Sequence, residues 1–134
     1  MDVMGLDMSL YRMKLADAEK DFDKAEKEEV IYWRKANQIR QWFVENCDYP
    51  VDGNCEWAEV TKENLETLIE DCQNVLDRKV EASEVLPTSS GFFFGSTSYD
   101  EYYLENLRHT IECATRVLET TDFDTEVLYY TDWW

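Results

Sequence analysis

Five apolar residues, Leu104, Leu107, Ile111, Ala114 and Leu118, recur at alternating steps of three and four. That period is one face of an α-helix, and it predicts a helix over 100–120 whose apolar stripe must be covered by another helix or by a sheet. The chain supplies both. Leu65, Leu68, Ile69, Cys72 and Leu76 form a second stripe, opened by Thr61 as N-cap, which predicts a helix over 62–79. Near both ends the period falls to two. Leu6, Met8 and Leu10 oppose Asp7, Ser9 and Tyr11, and Val127, Tyr129 and Thr131 oppose Leu128, Tyr130 and Asp132, the pattern of half-buried strands. A chain of 134 residues can bury roughly two thirds of its unfolded surface in one core. The expectation is a single α+β domain over 1–134. Segments near 4–12, 28–33, 55–60 and 126–133 would build a small, mainly antiparallel sheet, with helices near 34–47, 62–79 and 100–120 packed on it.

The segment 28–47 changes character midway. Val30, Ile31, Tyr32 and Trp33 favour a strand, whereas Ala36, Ile39 and Phe43 fall at helical spacing. At the junction Arg34, Lys35 and Arg40 place three of the thirteen basic residues within seven positions. A helix start there offers free N–H groups, so Tyr32, Arg34, Lys35, Asn37 and Arg40 could hold an anion. Equally, the cations could neutralise neighbouring carboxylates and lay their stems on aromatic rings. A second candidate stretch lies over 86–103, where Gly91 and Gly95 bracket three phenylalanines. Ser90, Gly91, Gly95, Ser96 and Thr97 would add hydroxyl and N–H donors to the same anion if folding joins the two segments. As a phosphate loop the stretch is weak, because phenylalanines stand where small residues are needed and no lysine follows. Ser98 and Glu101 read as a capping box opening the last helix.

Other segments say less. The run 14–29 is mostly charged and suits a solvated helix or a mobile connection. Residues 49–54 form a turn-rich loop whose Asp52-Gly53 step suits a tight reversal. His109 lies off its helix seam and is read as a surface residue. Trp133 and Trp134 would dock on the sheet or on a partner, a second copy of this chain included.

Charge is the compositional outlier: thirty acidic against thirteen basic residues give −17. Such a balance opposes direct binding to nucleic acid or to anionic membranes and favours a basic partner. The segment 45–71 concentrates it, with nine acidic residues against Lys62 alone. Glu63, Glu66 and Glu70 recur at helical spacing, which aligns carboxylates about 5–6 Å apart on one face. Rows of carboxylates at such separations imitate successive phosphates, although a charge run is also what any solvated helix face looks like. Glu59, Glu63, Glu66, Glu70 and Asp71 are the candidate partner contacts. Cys47, Cys55, Cys72 and Cys113 make no CxxC pair and His109 is the single histidine, so neither structural zinc nor another cofactor is expected. Catalytic motifs are absent, and no catalytic residue is assigned. The absence of a long apolar run and of a signal-peptide layout leads to the expectation of a cytoplasmic chain with reduced thiols.

The runs Gly5-Leu6-Asp7-Met8, Tyr32-Trp33-Arg34-Lys35-Ala36-Asn37, Trp42-Phe43-Val44, Leu86-Pro87, Gly91 through Thr97 and Tyr99-Asp100-Glu101-Tyr102-Tyr103 together resemble a family of short phage and prophage proteins. A phosphoglycerate-kinase activity attached to some members does not carry over, since this chain is too short for that two-domain enzyme. The resemblance implies a phage setting, in which small accessory proteins act on host proteins, defence systems among them. The favoured expectation is an acidic accessory protein that binds a basic host protein and inhibits it by imitating nucleic acid. The alternative is a binding protein or sponge for a small anionic ligand such as a nucleotide signal.

Overall fold

In the computed structural model, which describes residues 5–88 and 98–134, four strands form one antiparallel sheet. They are β1 (Asp7–Lys14), β2 (Glu28–Arg34), β3 (Trp57–Val60) and β4 (Glu126–Trp133), in the spatial order β2-β1-β4-β3. The helices are α1 (Leu15–Lys20), α2 (Asn37–Asn46), α3 (Lys62–Leu76), α4 (Ala82–Val85) and α5 (Glu101–Thr120). The α+β expectation holds, and the last strand takes a central place between β1 and β3.

Alternation in β1 and β4 sorts their side chains as the sequence suggests. Leu6, Met8, Leu10, Leu128 and Tyr130 enter one core with Ile31, Trp33 and Val60, and α2, α3 and α5 add Ile39, Phe43, Leu65, Leu68, Leu107 and Ala114. The α5 seam is rotated slightly from the expected one. Its buried residues are Tyr103, Leu107, Thr110, Ala114 and Val117, with Leu104, Ile111 and Leu118 flanking. A purely apolar criterion misses Thr110, whose hydroxyl accepts from the Trp33 indole at 2.8 Å and donates to the Asn106 carbonyl at 2.7 Å. That pairing satisfies the one polar atom Trp33 brings into the core.

On the opposite sheet face, Tyr11, Trp57 and Tyr129 meet Phe22 from the segment after α1, with ring centroids 4.9–5.6 Å apart. Lys27 caps this group at 4.6 Å from the Phe22 centroid and donates to the Phe22 and Ala25 carbonyls. The charged run 14–29 is therefore α1 followed by a strap laid across the sheet. At the outer edge of β2, α5 reaches over to bond exposed carbonyls, with His109 Nε2–H donating to Tyr32 O at 2.8 Å and the Tyr102 hydroxyl to Arg34 O. Covering an edge in this way blocks strand addition there.

Helix starts follow local chemistry. Thr61 Oγ1 accepts from Asn64 N at 3.1 Å while Asn64 Oδ1 accepts from Thr61 N at 2.8 Å. Thr61→Ala should lower the unfolding free energy by about 1 kcal/mol, seen as an earlier urea midpoint with an unchanged slope. At α5 the expected cap is corrected. Asp100, not Ser98, is the N-cap and accepts from Tyr103 N at 3.1 Å. A carboxylate at that position also meets the positive end of the helix. Among the described residues no helix is long and apolar enough to cross a membrane.

Candidate functional site

The carboxylate surface is built by β3, α3 and the junction between them. Glu59 projects from β3 beside Tyr129, its register partner. Glu63, Glu66 and Glu70 follow along the outward face of α3, opposite the buried Leu65, Leu68, Cys72 and Val75. All four glutamates are exposed, and among the described residues none of them enters an ion pair. On α5 the outcome is different. There Arg108 bridges Glu101 and Glu105, and Arg116 reaches Glu112 at 3.2 Å. Two acidic helices thus differ in whether their charge is compensated within the molecule.

Asp71 departs from its expected role. It is half-buried and turned toward α2, where it accepts from the Trp42 indole at 2.8 Å. Eight positions after Glu63, it lies about 80° around the helix from that glutamate, which aims it at the neighbouring helix rather than at solvent. Glu59 and Glu63 meet at the rim of a groove of about 280 Å³ whose floor includes Val60, Phe123, Val127 and Leu128.

The alternative anion site is only partly assembled. Arg34 and Lys35 converge above Gly5, where an added Cβ would lie 2.9 Å from Arg34 Nη2 and 3.2 Å from Lys35 Cε. Lys35 occupies the left-handed region (φ 55°) and its N–H donates to Leu6 O at 2.7 Å, which turns the chain from β2 into α2. Tyr32 is exposed and its hydroxyl donates to Asp7 Oδ1; burial first, then that hydrogen bond, pushes the phenol up to about 12. Asn37 is buried, and Arg34, Lys35 and Asn37 each have further interactions of their own. Folding does bring Lys35 and Gln38 next to Ser98, Asp100 and Tyr103, but the depression between them holds about 10 Å³, room for about one water. Ser90, Gly91, Gly95, Ser96 and Thr97 lie outside the described residues.

Arg40 is a correction to the anion site. It is 1% exposed, its Nε donates to Asp132 Oδ2 at 2.9 Å, and its Nη2 donates to Gly53 O at 3.0 Å. The tyrosines Tyr49 and Tyr130 complete the cluster, each donating its hydroxyl to Asp132 at 2.6 Å. Burial pushes the Asp132 carboxyl up, against the opposing pull of these donors. Gly53 is required here: a Cβ would stand 2.8 Å from the Tyr49 ring, and its carbonyl also accepts from the Trp134 indole at 2.9 Å. Trp134 thereby docks on its own chain, while Trp133 stays about half exposed. Sequence reasoning missed Asp132 because the residue is one among thirty carboxylates and lies 92 positions from Arg40.

All four cysteines are free thiols, with Cys47 and Cys72 buried, Cys113 half-buried and Cys55 exposed. Among the described residues no three His, Cys, Asp or Glu side chains converge on a metal site. Comparison of the chain with protein-family models, with curated proteins and with solved structures returns no match.

Proposed function

We propose that the protein is an acidic binding factor, of the phage accessory kind its sequence resembles, that occupies the nucleic-acid surface of a basic host protein. The observation that carries this reading is the contrast between two helices. The α3 glutamates and Glu59 stand exposed and without an ion pair among the described residues, whereas Arg108 and Arg116 neutralise the corresponding carboxylates of α5. Exposed carboxylates repel one another when unpaired, and a cationic partner relieves that repulsion on docking. The contacts are Glu59, Glu63, Glu66 and Glu70; Asp71 serves the fold instead.

The test is capture of the partner from a bacterial lysate, followed by a salt series and competition with duplex DNA. The triple variant Glu63→Gln, Glu66→Gln, Glu70→Gln should weaken binding about tenfold or more, while stability stays within about 0.5 kcal/mol of the parent. Neutralising three Arg-paired positions on α5 instead should change little. Salt-insensitive binding, or a partner that duplex DNA does not displace, would remove the reading.

The anion-ligand reading keeps one favourable observation, the convergence of Arg34 and Lys35 over Gly5. A nucleotide panel in a thermal-shift assay separates the two, since only a ligand site raises the melting point.

A further inference from the structure

The two outer strands of the sheet are finished differently. α5 covers the edge of β2 through His109 and Tyr102, whereas β3 ends the sheet on the other side. Main-chain groups alternate in direction along a strand. Leu15 N–H donates to Thr125 O at 2.9 Å and Cys55 N–H to Asp132 O at 2.7 Å, so odd-numbered residues of β4 turn their main-chain groups to β1 and even-numbered ones to β3. Ala58 and Val60, opposite Tyr130 and Leu128, therefore bond to β4, and the N–H and C=O groups of Trp57 and Glu59 point outward from the sheet. Among the described residues none of these outward groups has a hydrogen-bond partner. The side chains around them are mostly of one sign. Glu56, Glu59 and Glu63 are exposed and enter no ion pair among the described residues, with Lys62 as the cation on the rim of the same groove. The Trp57 ring, 38% exposed, shares the face away from the core with Glu59. Such an edge opposes a second copy of the chain, since each copy carries −17 and would bring its own glutamates to the contact. A cationic strand meets the opposite balance.

We propose that β3 is a docking edge to which the protein's partner adds an extended strand carrying basic residues at alternate positions. The inference rests on the basic-partner reading above and adds how the partner's main chain is gripped. Trp57 and Glu59 each exchange N–H and C=O bonds with the residue opposite, so main-chain pairing supplies affinity and the alternate side chains supply choice. Residues opposite Trp57 and Glu59 are two apart on the added strand and share the face away from the core. A lysine or arginine there pairs with the Glu59 carboxylate or lies over the Trp57 ring, as Lys27 already does from the strap with its Nζ 5.7 Å from that ring. The residues between them fall on the core side next to Ala58 and Val60, where β-branched side chains suit the pleat. Glu63 at the start of α3 extends the acidic border beyond the end of the strand.

The probes are a synthetic octapeptide that alternates lysine with valine and the same peptide with every lysine N-methylated on its main chain, which keeps the charge and removes the donors facing β3. Both are titrated into the intact, isotope-labelled protein at low ionic strength, and amide exchange is followed residue by residue. In the free protein the Trp57 and Glu59 amides should exchange about tenfold or more faster than those of Ala58 and Val60. The unmodified peptide should slow Trp57 and Glu59 about tenfold or more, and it should bind about tenfold tighter than the methylated one. Equal affinities with Trp57 and Glu59 still exchanging freely would overturn strand addition while leaving the cationic-partner reading in place. Failure of both peptides to bind would remove both. Slowing of Trp57 and Glu59 that grows with protein concentration in the absence of peptide would assign the edge to a second copy and likewise overturn the proposal.

Discussion

Replacing Arg40 by alanine should cost about 3–5 kcal/mol of unfolding free energy, a large share of what a domain of this size possesses. The substitution leaves Asp132, itself 1% exposed, without its guanidinium partner, and it leaves the Gly53 carbonyl without the same donor. Asp132→Ala should be comparably damaging, because it takes the carboxylate away from the buried Arg40 and removes the acceptor of both Tyr49 and Tyr130. The double variant should cost less than the sum of the singles by about 1 kcal/mol or more, as residues of one buried network do. Urea unfolding of the four proteins measures this cycle. Additive losses, or a loss below about 1 kcal/mol for Arg40→Ala, would show that the cluster is not coupled as drawn.

An equally large effect should appear at alkaline pH. Cys47, Cys72, Tyr49, Tyr103 and Tyr130 are all buried, and burial is the first cause raising each group, the Cys47 thiol to about 12. The tyrosines also need their protons. Tyr103 donates to the Leu86 carbonyl at 2.6 Å, and Tyr49 and Tyr130 donate to Asp132. A group whose folded pKa is raised stabilises the fold fully below its unfolded pKa, and that contribution is lost as pH rises toward the folded value. The loss begins near pH 8.5 for the thiols and near 10 for the phenols, at about 1.4 kcal/mol per group for each pH unit. By pH 10.5 the two thiols account for about 5 kcal/mol and the three phenols, entering only near pH 10, for about 2 more, a loss comparable with the whole stability of about 5–15 kcal/mol. The urea midpoint should therefore fall from about pH 8.5 and more steeply above about pH 10, where Tyr103→Phe should make the decline shallower. A midpoint that holds level to pH 11 would contradict this account.

Local geometry was legible in the sequence and distant pairing was not. The alternation of Leu6, Met8 and Leu10 and the stripes of α3 and α5 depend on periods that a few neighbouring residues define, so the α+β class and the outward face of Glu63, Glu66 and Glu70 follow from spacing alone. Arg40 shows the limit. Its linear neighbours Arg34 and Lys35 make it look like part of a cationic surface, yet helical rotation carries it inward to a carboxylate 92 positions away. Asp71 fails for a related reason, since a polar residue beside an acidic stripe gives no local sign that a tryptophan N–H waits on another helix. His109 reads as a plain surface residue in the sequence, because its bond to the Tyr32 carbonyl depends on how α5 crosses the β2 edge.

The place of β4 has a consequence for how the molecule is made. β1 and β2 can zip together as soon as both have emerged from the ribosome, but the strand that β3 pairs with among the described residues is encoded some 65 residues later. Until 126–133 are synthesised, the nascent chain carries an unfinished sheet flanked by two apolar helix faces, the kind of intermediate that chaperones recognise. Completion then comes as an insertion between two waiting edges, a long-range closure that sets a slow pace for the final step.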